Sequence, residues 1–124
     1  MSVTYLNIKV THPANGRKGL ERRFLIDSGA VFSVIPEQEL KKIGIKPDTK
    51  QKFILANGQE IEKEIGEARF IWKDTARTAP VVFGDKGVYL LGATTLEVMG
   101  LILDPINRKL EKLPMLLWGS YDQI

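Results

Sequence analysis

Short runs of alternating apolar and polar residues, broken every eight to twelve positions by turn chemistry, set the character of this chain. Val3 to Val10 places β-formers at Val3, Tyr5, Ile8 and Val10 and reads as a strand. His12-Pro13-Ala14-Asn15-Gly16 is a turn, and Leu20 to Ile26 a second strand that can pair back as a hairpin. A short strand is expected over Val31 to Ile35. Pro36 then opens a helix, with Glu37 and Glu39 at its positive end and Gly44 as its stop. Phe53-Ile54-Leu55, the Asn57-Gly58 pair and a return arm from Ile61 to Ile71 predict another hairpin. Gly66 inside that arm marks a bulge or a close approach of another backbone. Lys73 to Thr78 is polar and reads as a loop before an Ala79 to Phe83 strand. Val88 to Leu91, a short helix over Thr94 to Met99 stopped by Gly100, and two strands at Leu101 to Leu103 and Lys109 to Leu113 complete the pattern. Many short strands with one or two short helices predict a mainly-β, closed-barrel-like domain spanning residues 1–124, with no internal repeat or linker.

Composition narrows the chemistry. With 44% hydrophobic and 27% charged residues, the 124-residue chain has the make-up of an ordinary globular domain rather than a disordered one. It has no cysteine, which excludes disulfides and thiolate metal sites. Its one histidine, His12, precedes a proline in a turn, so neither a metal site nor a histidine-based nucleophile is expected. Lysine and arginine exceed aspartate and glutamate by three. The densest basic clusters, Arg22-Arg23 and Lys41-Lys42, lie near glutamates, so a mixed-charge surface is expected and nucleic acid is not the expected partner. A basic nucleic-acid-binding barrel is the competing reading, and salt-dependent binding would support it. No apolar run is long enough to span a membrane and none opens the chain, so a cytoplasmic location without membrane contact is the expectation.

The residue that stands out is Asp27. It ends the apolar run Phe24-Leu25-Ile26 and is followed by Ser28-Gly29-Ala30. An Asp-Ser-Gly triplet by itself reads as a turn. Here, though, an apolar strand delivers the carboxylate to the place where a core ends, and Gly29 lets backbone amides come close to it. The other aspartates, Asp48, Asp74, Asp85, Asp104 and Asp122, lack this setting.

Taken in order, the segments resemble the retropepsin-like family, the single-domain relatives of pepsin. Phe24-Leu25-Ile26-Asp27-Ser28-Gly29-Ala30 is similar to the family's hydrophobic-Asp-Thr/Ser-Gly-Ala signature. Ala56-Asn57-Gly58-Gln59 resembles the flap hairpin that covers the cleft, although from the turn signal alone it is an ordinary hairpin and its tip could extend to Lys63. Tyr89-Leu90-Leu91-Gly92 resembles the second hydrophobic-hydrophobic-Gly motif, with Thr94 to Met99 as the helix after it. The resemblance implies an aspartic endopeptidase, active as a symmetric homodimer, that activates water between two Asp27 carboxylates and needs no cofactor. It implies catalytic roles for Asp27, Ser28 and Gly29. It implies peptide contacts from Ala30, Ala56, Asn57, Gly58, Leu90 and Leu91, with an extended peptide or protein as substrate. A catalytically inactive or weakly active dimeric module that binds peptide or protein on the same fold is the alternative.

The sequence also departs from viral members. Val31 and Ala93 occupy places where those members carry an acidic residue and the arginine that pairs with it, and the flap is more polar. The apolar tail Leu113-Pro114-Met115-Leu116-Leu117-Trp118 reads equally as a cover for its own core or as a contact with a partner subunit.

Overall fold

A computed structural model describes residues 3–113. Two long strands, β1 (Thr4–His12) and β2 (Asn15–Ile26), form the expected antiparallel hairpin. β3 (Ser33–Pro36) leads directly into α1 (Glu37–Lys42). β4 (Thr49–Ile54) and β5 (Glu60–Trp72) form the second hairpin, and β5 turns back into β6 (Thr75–Gly84). The two-residue β7 (Leu90–Leu91) precedes α2 (Ala93–Met99). Among the described residues, β8 (Leu101–Asp104) and β9 (Lys109–Lys112) pair only with each other.

The large sheet runs β1-β2-β7-β3-β6-β5-β4, and a further seam between β1 and β5 closes it into a ring. That seam joins Lys9, Val10 and Thr11 to Ile71, Phe70 and Arg69. Closure covers the free edge of β1 and leaves β4, paired with β5 alone among the described residues, outside the ring. It also gives each ring strand an inner face, and the apolar residues of the alternating pattern fill it. Ile8, Val10, Phe24, Ile26, Ala68, Phe70, Ala79, Val81 and Phe83 are all buried in one cluster with Leu40, Leu91, Leu96 and Met99. At its centre the Phe24 and Phe70 rings meet edge-on, with centroids 6.5 Å apart.

Gly66 fulfils the close-approach reading. A Cβ there would sit 2.9 Å from the Lys46 carbonyl oxygen and 3.1 Å from the Phe83 ring. β5 changes partner near this point, pairing with β4 up to Ile65 and with β1 from Arg69 onward. The left-handed Gly100 ends α2 as expected, and Gly44, also left-handed, follows the C-cap of α1.

Three expectations need correction. Lys73 to Thr78 is not a loop: Lys73-Asp74 is a two-residue turn, and β6 begins at Thr75, paired with Trp72. Backbone pairing carries the strand beyond the core, so its polar residues were no guide to its end. For the same reason β2 starts at Asn15 and β4 at Thr49, well before their apolar segments. The strand expected from Val31 starts only at Ser33, and Val31 itself is 63% exposed. Of the C-terminal apolar tail, only Leu113 lies within the described residues, and it is exposed. No helix among the described residues is long and apolar enough to cross a membrane.

Candidate active site

The short strand β7 decides where Asp27 stands. β7 lies parallel to the end of β2, with Leu25 opposite Leu90 and Ile26 opposite Leu91. The Leu25 N–H donates to the Tyr89 carbonyl at 2.9 Å, and the Asp27 N–H donates to the Leu91 carbonyl at 2.9 Å. The backbone of Asp27 is therefore fixed to the core by its last strand bond, while its side chain emerges half-buried beyond the strand end. One carboxylate oxygen, Oδ1, accepts the Gly29 N–H at 2.9 Å, and the Asp27 carbonyl accepts the Ala30 N–H at 3.2 Å. A Cβ on Gly29 would lie 3.2 Å from that Oδ1, a crowded contact that glycine avoids. A tight turn thus grips the carboxylate through one oxygen.

Residues 30–33 rest on the start of α2. The Ala93 N–H donates to the Ala30 carbonyl at 2.7 Å, and the Thr94 N–H donates to the Val31 carbonyl at 2.9 Å. Gly92 is required here by space, since its Cβ would stand 2.6 Å from both the carbonyl carbon and the oxygen of Phe32. Beneath this contact the hydroxyls of Ser33 and Thr95 meet at 2.6 Å, and Ser33 Oγ also accepts the Gly92 N–H at 3.0 Å. Sequence reasoning missed both residues. Their signal was a polar side chain amid apolar neighbours: Ser33 lies in phase with the buried Ile35, and Thr95 is followed by the buried Leu96.

A second missed cluster braces the outside of β7. Arg22 on β2 forms a two-pronged contact with Glu39 on α1, at 2.7 Å from Nη2 and 3.2 Å from Nε. The Tyr89 hydroxyl donates to the other oxygen of Glu39. Tyr89 also packs edge-on against Phe24, with centroids 5.7 Å apart. Burial pushes the Glu39 carboxyl upward, but the bonds from Tyr89 and Arg22 outweigh it and hold the group below its ordinary range. Burial, together with the bond to Glu39, raises the Tyr89 phenol. α1, β2 and the residue that leads into β7 are thereby pinned together.

The segment from Asp27 to Phe32 lines two grooves. On one side, Asp27 and Ser28 line an apolar depression of about 790 Å³ with Val3, Leu25, Leu96, Ile102 and Leu113. On the other, Ala30, Val31 and Phe32 face the β4–β5 hairpin across a groove of about 390 Å³, walled by Phe53, Ile54, Leu55 and Ile61. The Phe32 and Phe53 rings meet edge-on at 6.2 Å.

The expected site residues fall into three sets. Asp27, Ser28, Gly29 and Ala30 form one continuous turn, with Ser28 and Gly29 exposed. Ala56, Asn57 and Gly58 form the exposed tip of the hairpin. There the Gly58 N–H donates to the Leu55 carbonyl at 2.8 Å, Gly58 is left-handed, and Asn57 Oδ1 accepts the Gln59 N–H at 2.9 Å. This is a three-residue loop closed by a glycine bulge, so Glu60 to Lys63 belong to the return strand and not to the tip. Leu90 and Leu91 are different: Leu91 is 0% exposed, and Leu90 is half-buried between Leu25 and Val34. Leu91 serves the site through its carbonyl rather than as a side-chain contact. No cluster of three or more metal-ligating side chains occurs among the described residues.

A family model described as aspartyl protease matches residues 9–95. The match takes in the Asp27 turn, the Ala56–Gly58 hairpin and the Leu90-Leu91-Gly92 strand, and it stops within α2. Comparison with curated proteins gave no match. With the matched segment covering well over half of the chain and containing the Asp27 turn and β7, the chain belongs to the aspartyl protease family, of the retropepsin-like type.

Proposed function

We propose that this protein is an aspartic endopeptidase whose active site is completed by a second copy of the chain. Family membership supports an aspartic protease function acting on peptides. The observation that carries the finer reading is that Asp27 is a single gripped carboxylate at the rim of an apolar groove. Water activation of this kind takes two carboxylates, one ionised to accept a proton from water and one protonated to donate to the substrate carbonyl. Among the aspartates only Asp27 sits after an apolar strand and before Ser-Gly, so the second carboxylate comes from a partner's Asp27 across a two-fold axis.

The two grooves divide the work. A second copy lies over the apolar depression beside Asp27 and Ser28, covering surface that includes exposed Val3, Ile102 and Leu113. Ser28, exposed next to Asp27, faces that partner and bonds across the pair of turns. The extended peptide runs through the Ala30–Phe32 groove as an added strand, and the Ala56–Gly58 hairpin, with the arm up to Lys63, closes over it. Water placed between the two carboxylates attacks the peptide carbonyl. One carboxylate takes its proton as the other protonates the carbonyl oxygen, and no covalent enzyme intermediate forms. The step requires that the pair carry one proton between them.

The test is peptide cleavage measured against enzyme concentration and pH, with Asp27→Asn beside the native chain. Activity should rise faster than linearly with enzyme at low concentration and vanish in Asp27→Asn. Equal cleavage by Asp27→Asn would sink the proposal. A dimer by sedimentation with no cleavage at any pH would instead favour a peptide-binding role.

A further inference from the structure

We propose that the buried Ser33–Thr95 hydroxyl pair is the positioning device for the catalytic turn, locking residues 30–33 in place as the N-terminal cap of α2. The helix needs such a cap. The first four N–H groups of any helix have no partner inside it. In α2 those groups start at Gly92, which has no side chain, and no side-chain cap bond is made there. Three of the four are satisfied by the segment that follows Asp27: Gly92 N–H by Ser33 Oγ, Ala93 N–H by the Ala30 carbonyl and Thr94 N–H by the Val31 carbonyl. The dependence is mutual. The cap settles the helix, and the helix fixes the far side of the turn whose near side holds the Asp27 carboxylate.

Ser33 is the hinge of this arrangement, and Thr95 sets it. Both are 0% exposed. Ser33 Oγ accepts the Gly92 N–H and meets Thr95 Oγ1 at 2.6 Å, one hydroxyl donating to the other. Apolar residues of similar size would fill the same space, but they would strand the Gly92 N–H. They would also let residues 30–33 slide along the helix start. The Ser33–Thr95 bond and the Gly92–Ser33 bond together tie the end of this segment to the first turn of the helix. In a mechanism that needs two carboxylates at fixed separation, this is where their placement is set. The kinetic part of the proposal rests on the catalytic reading of Asp27, whereas the structural part does not.

The experiment uses the full chain with Thr95→Val, which keeps shape and loses the hydroxyl. Thr95→Ser keeps the hydroxyl, and Ser33→Ala removes the other partner. Amide hydrogen exchange is followed by NMR. Thr95→Val and Ser33→Ala should speed exchange at Gly92, Ala93 and Thr94 by roughly tenfold or more. Amides of the distant β1–β5 seam, such as Val10 and Phe70, should stay unchanged. Thr95→Ser should behave as the native chain. In peptide cleavage the same two variants should lose about tenfold in kcat at nearly constant KM, with Thr95→Ser restoring it. Unchanged exchange at the three amides would overturn the proposal, as would faster exchange with undiminished kcat, or a Thr95→Ser variant as impaired as Thr95→Val. If the native chain cleaves no peptide, the catalytic reading fails, and the exchange pattern alone decides whether the hydroxyl pair holds the turn. Should Ser33→Ala fail to fold, the contrast between Thr95→Val and Thr95→Ser decides the matter by itself.

Discussion

Adding one methyl group at Gly92 should disable the site more than its size suggests. The backbone there is extended, so alanine meets no conformational barrier, and the whole effect comes from space. The new Cβ would stand 2.6 Å from the carbonyl carbon and oxygen of Phe32 and 3.0 Å from the Ala30 oxygen. These are backbone atoms and cannot rotate aside. Ordinary contact needs a separation of about 3.5 Å, so the two segments must part by close to 1 Å. Overpacking of this kind costs about 1–3 kcal/mol. The movement also stretches the Gly92–Ser33, Ala93–Ala30 and Thr94–Val31 bonds, and weakening one or two of them adds roughly 1 kcal/mol. A total of about 2–4 kcal/mol follows. Unfolding entropy near 2.1 cal/mol/K per residue gives about 0.26 kcal/mol per kelvin for a chain of this length, so Tm should drop by about 8–15 °C. Activity should fall further than stability, because a catalytic group misplaced by about 1 Å can cost on the order of 100-fold. The assay is calorimetry at fixed protein concentration, paired with peptide cleavage well below the lowered Tm. A Gly92→Ala protein melting within 2 °C of the native chain would refute the reasoning (on the order of 0.5 kcal/mol at most). So would one that cleaves peptide at the native rate.

Other expectations follow from separate features. Asp27→Asn should leave Tm nearly unchanged while removing peptide cleavage by roughly 10²–10⁴-fold or more, and a folded variant with native turnover would contradict it. Thr11 is 2% exposed and its hydroxyl has no partner among the described residues, so Thr11→Val should stabilise the chain by about 1 kcal/mol, seen as a rise of about 4 °C in Tm. A lower Tm would show that the hydroxyl is satisfied after all. Glu39→Gln should cost about 1–2 kcal/mol at neutral pH, because it weakens the contacts with Arg22 and Tyr89. The folded Glu39 carboxyl titrates below its unfolded value, so its contribution is present above the ordinary glutamate range and is lost as pH falls through the lower, folded value. The Tm difference between Glu39→Gln and the native chain should therefore shrink on acidification below about pH 4.5, and a gap that widens there would reverse the argument. Glu67 has the opposite sign: burial, aided by nearby Asp48, raises it, so Glu67→Gln should stabilise the protein at neutral pH and lose that advantage in acid.

How far the fold could be read from the sequence depended on what each residue faces. Strand cores were legible because Ile8, Val10, Phe24, Ile26, Val81 and Phe83 point inward, and a period of two survives in their spacing. Strand ends were not, because Thr75 to Thr78 and Thr49 to Lys52 are held by backbone bonds that any side chain permits. The Lys73-Asp74 turn hid for a related reason. Its first residue takes the left-handed conformation that usually advertises itself as glycine or asparagine, and here it is lysine. The closing β1–β5 seam has no local signature at all, since its pairs join residues about sixty positions apart.

The site was legible where one short segment carries its chemistry and obscure where two segments share it. Asp27, Ser28 and Gly29 are contiguous, and the turn that grips the carboxylate is written in those residues. Leu90-Leu91 looks like peptide-contacting surface because it belongs to the motif, yet Leu91 is core and contributes a carbonyl to Asp27. Ser33 and Thr95 are 62 positions apart, and neither means anything without the other. Glu39, Arg22 and Tyr89 likewise come from a helix, a strand and a loop, and look like ordinary surface residues singly. A common cause links these cases. β7 supplies backbone to the end of β2 and a glycine to the loop after it, so the elements around Asp27 are joined mainly by main-chain bonds and buried hydroxyls. Such bonds tolerate many side chains at most positions, but there is no room for one at Gly92. The Asp27 turn is thus held from two sides, by its own residues and by contacts to the start of α2 that the motif does not contain.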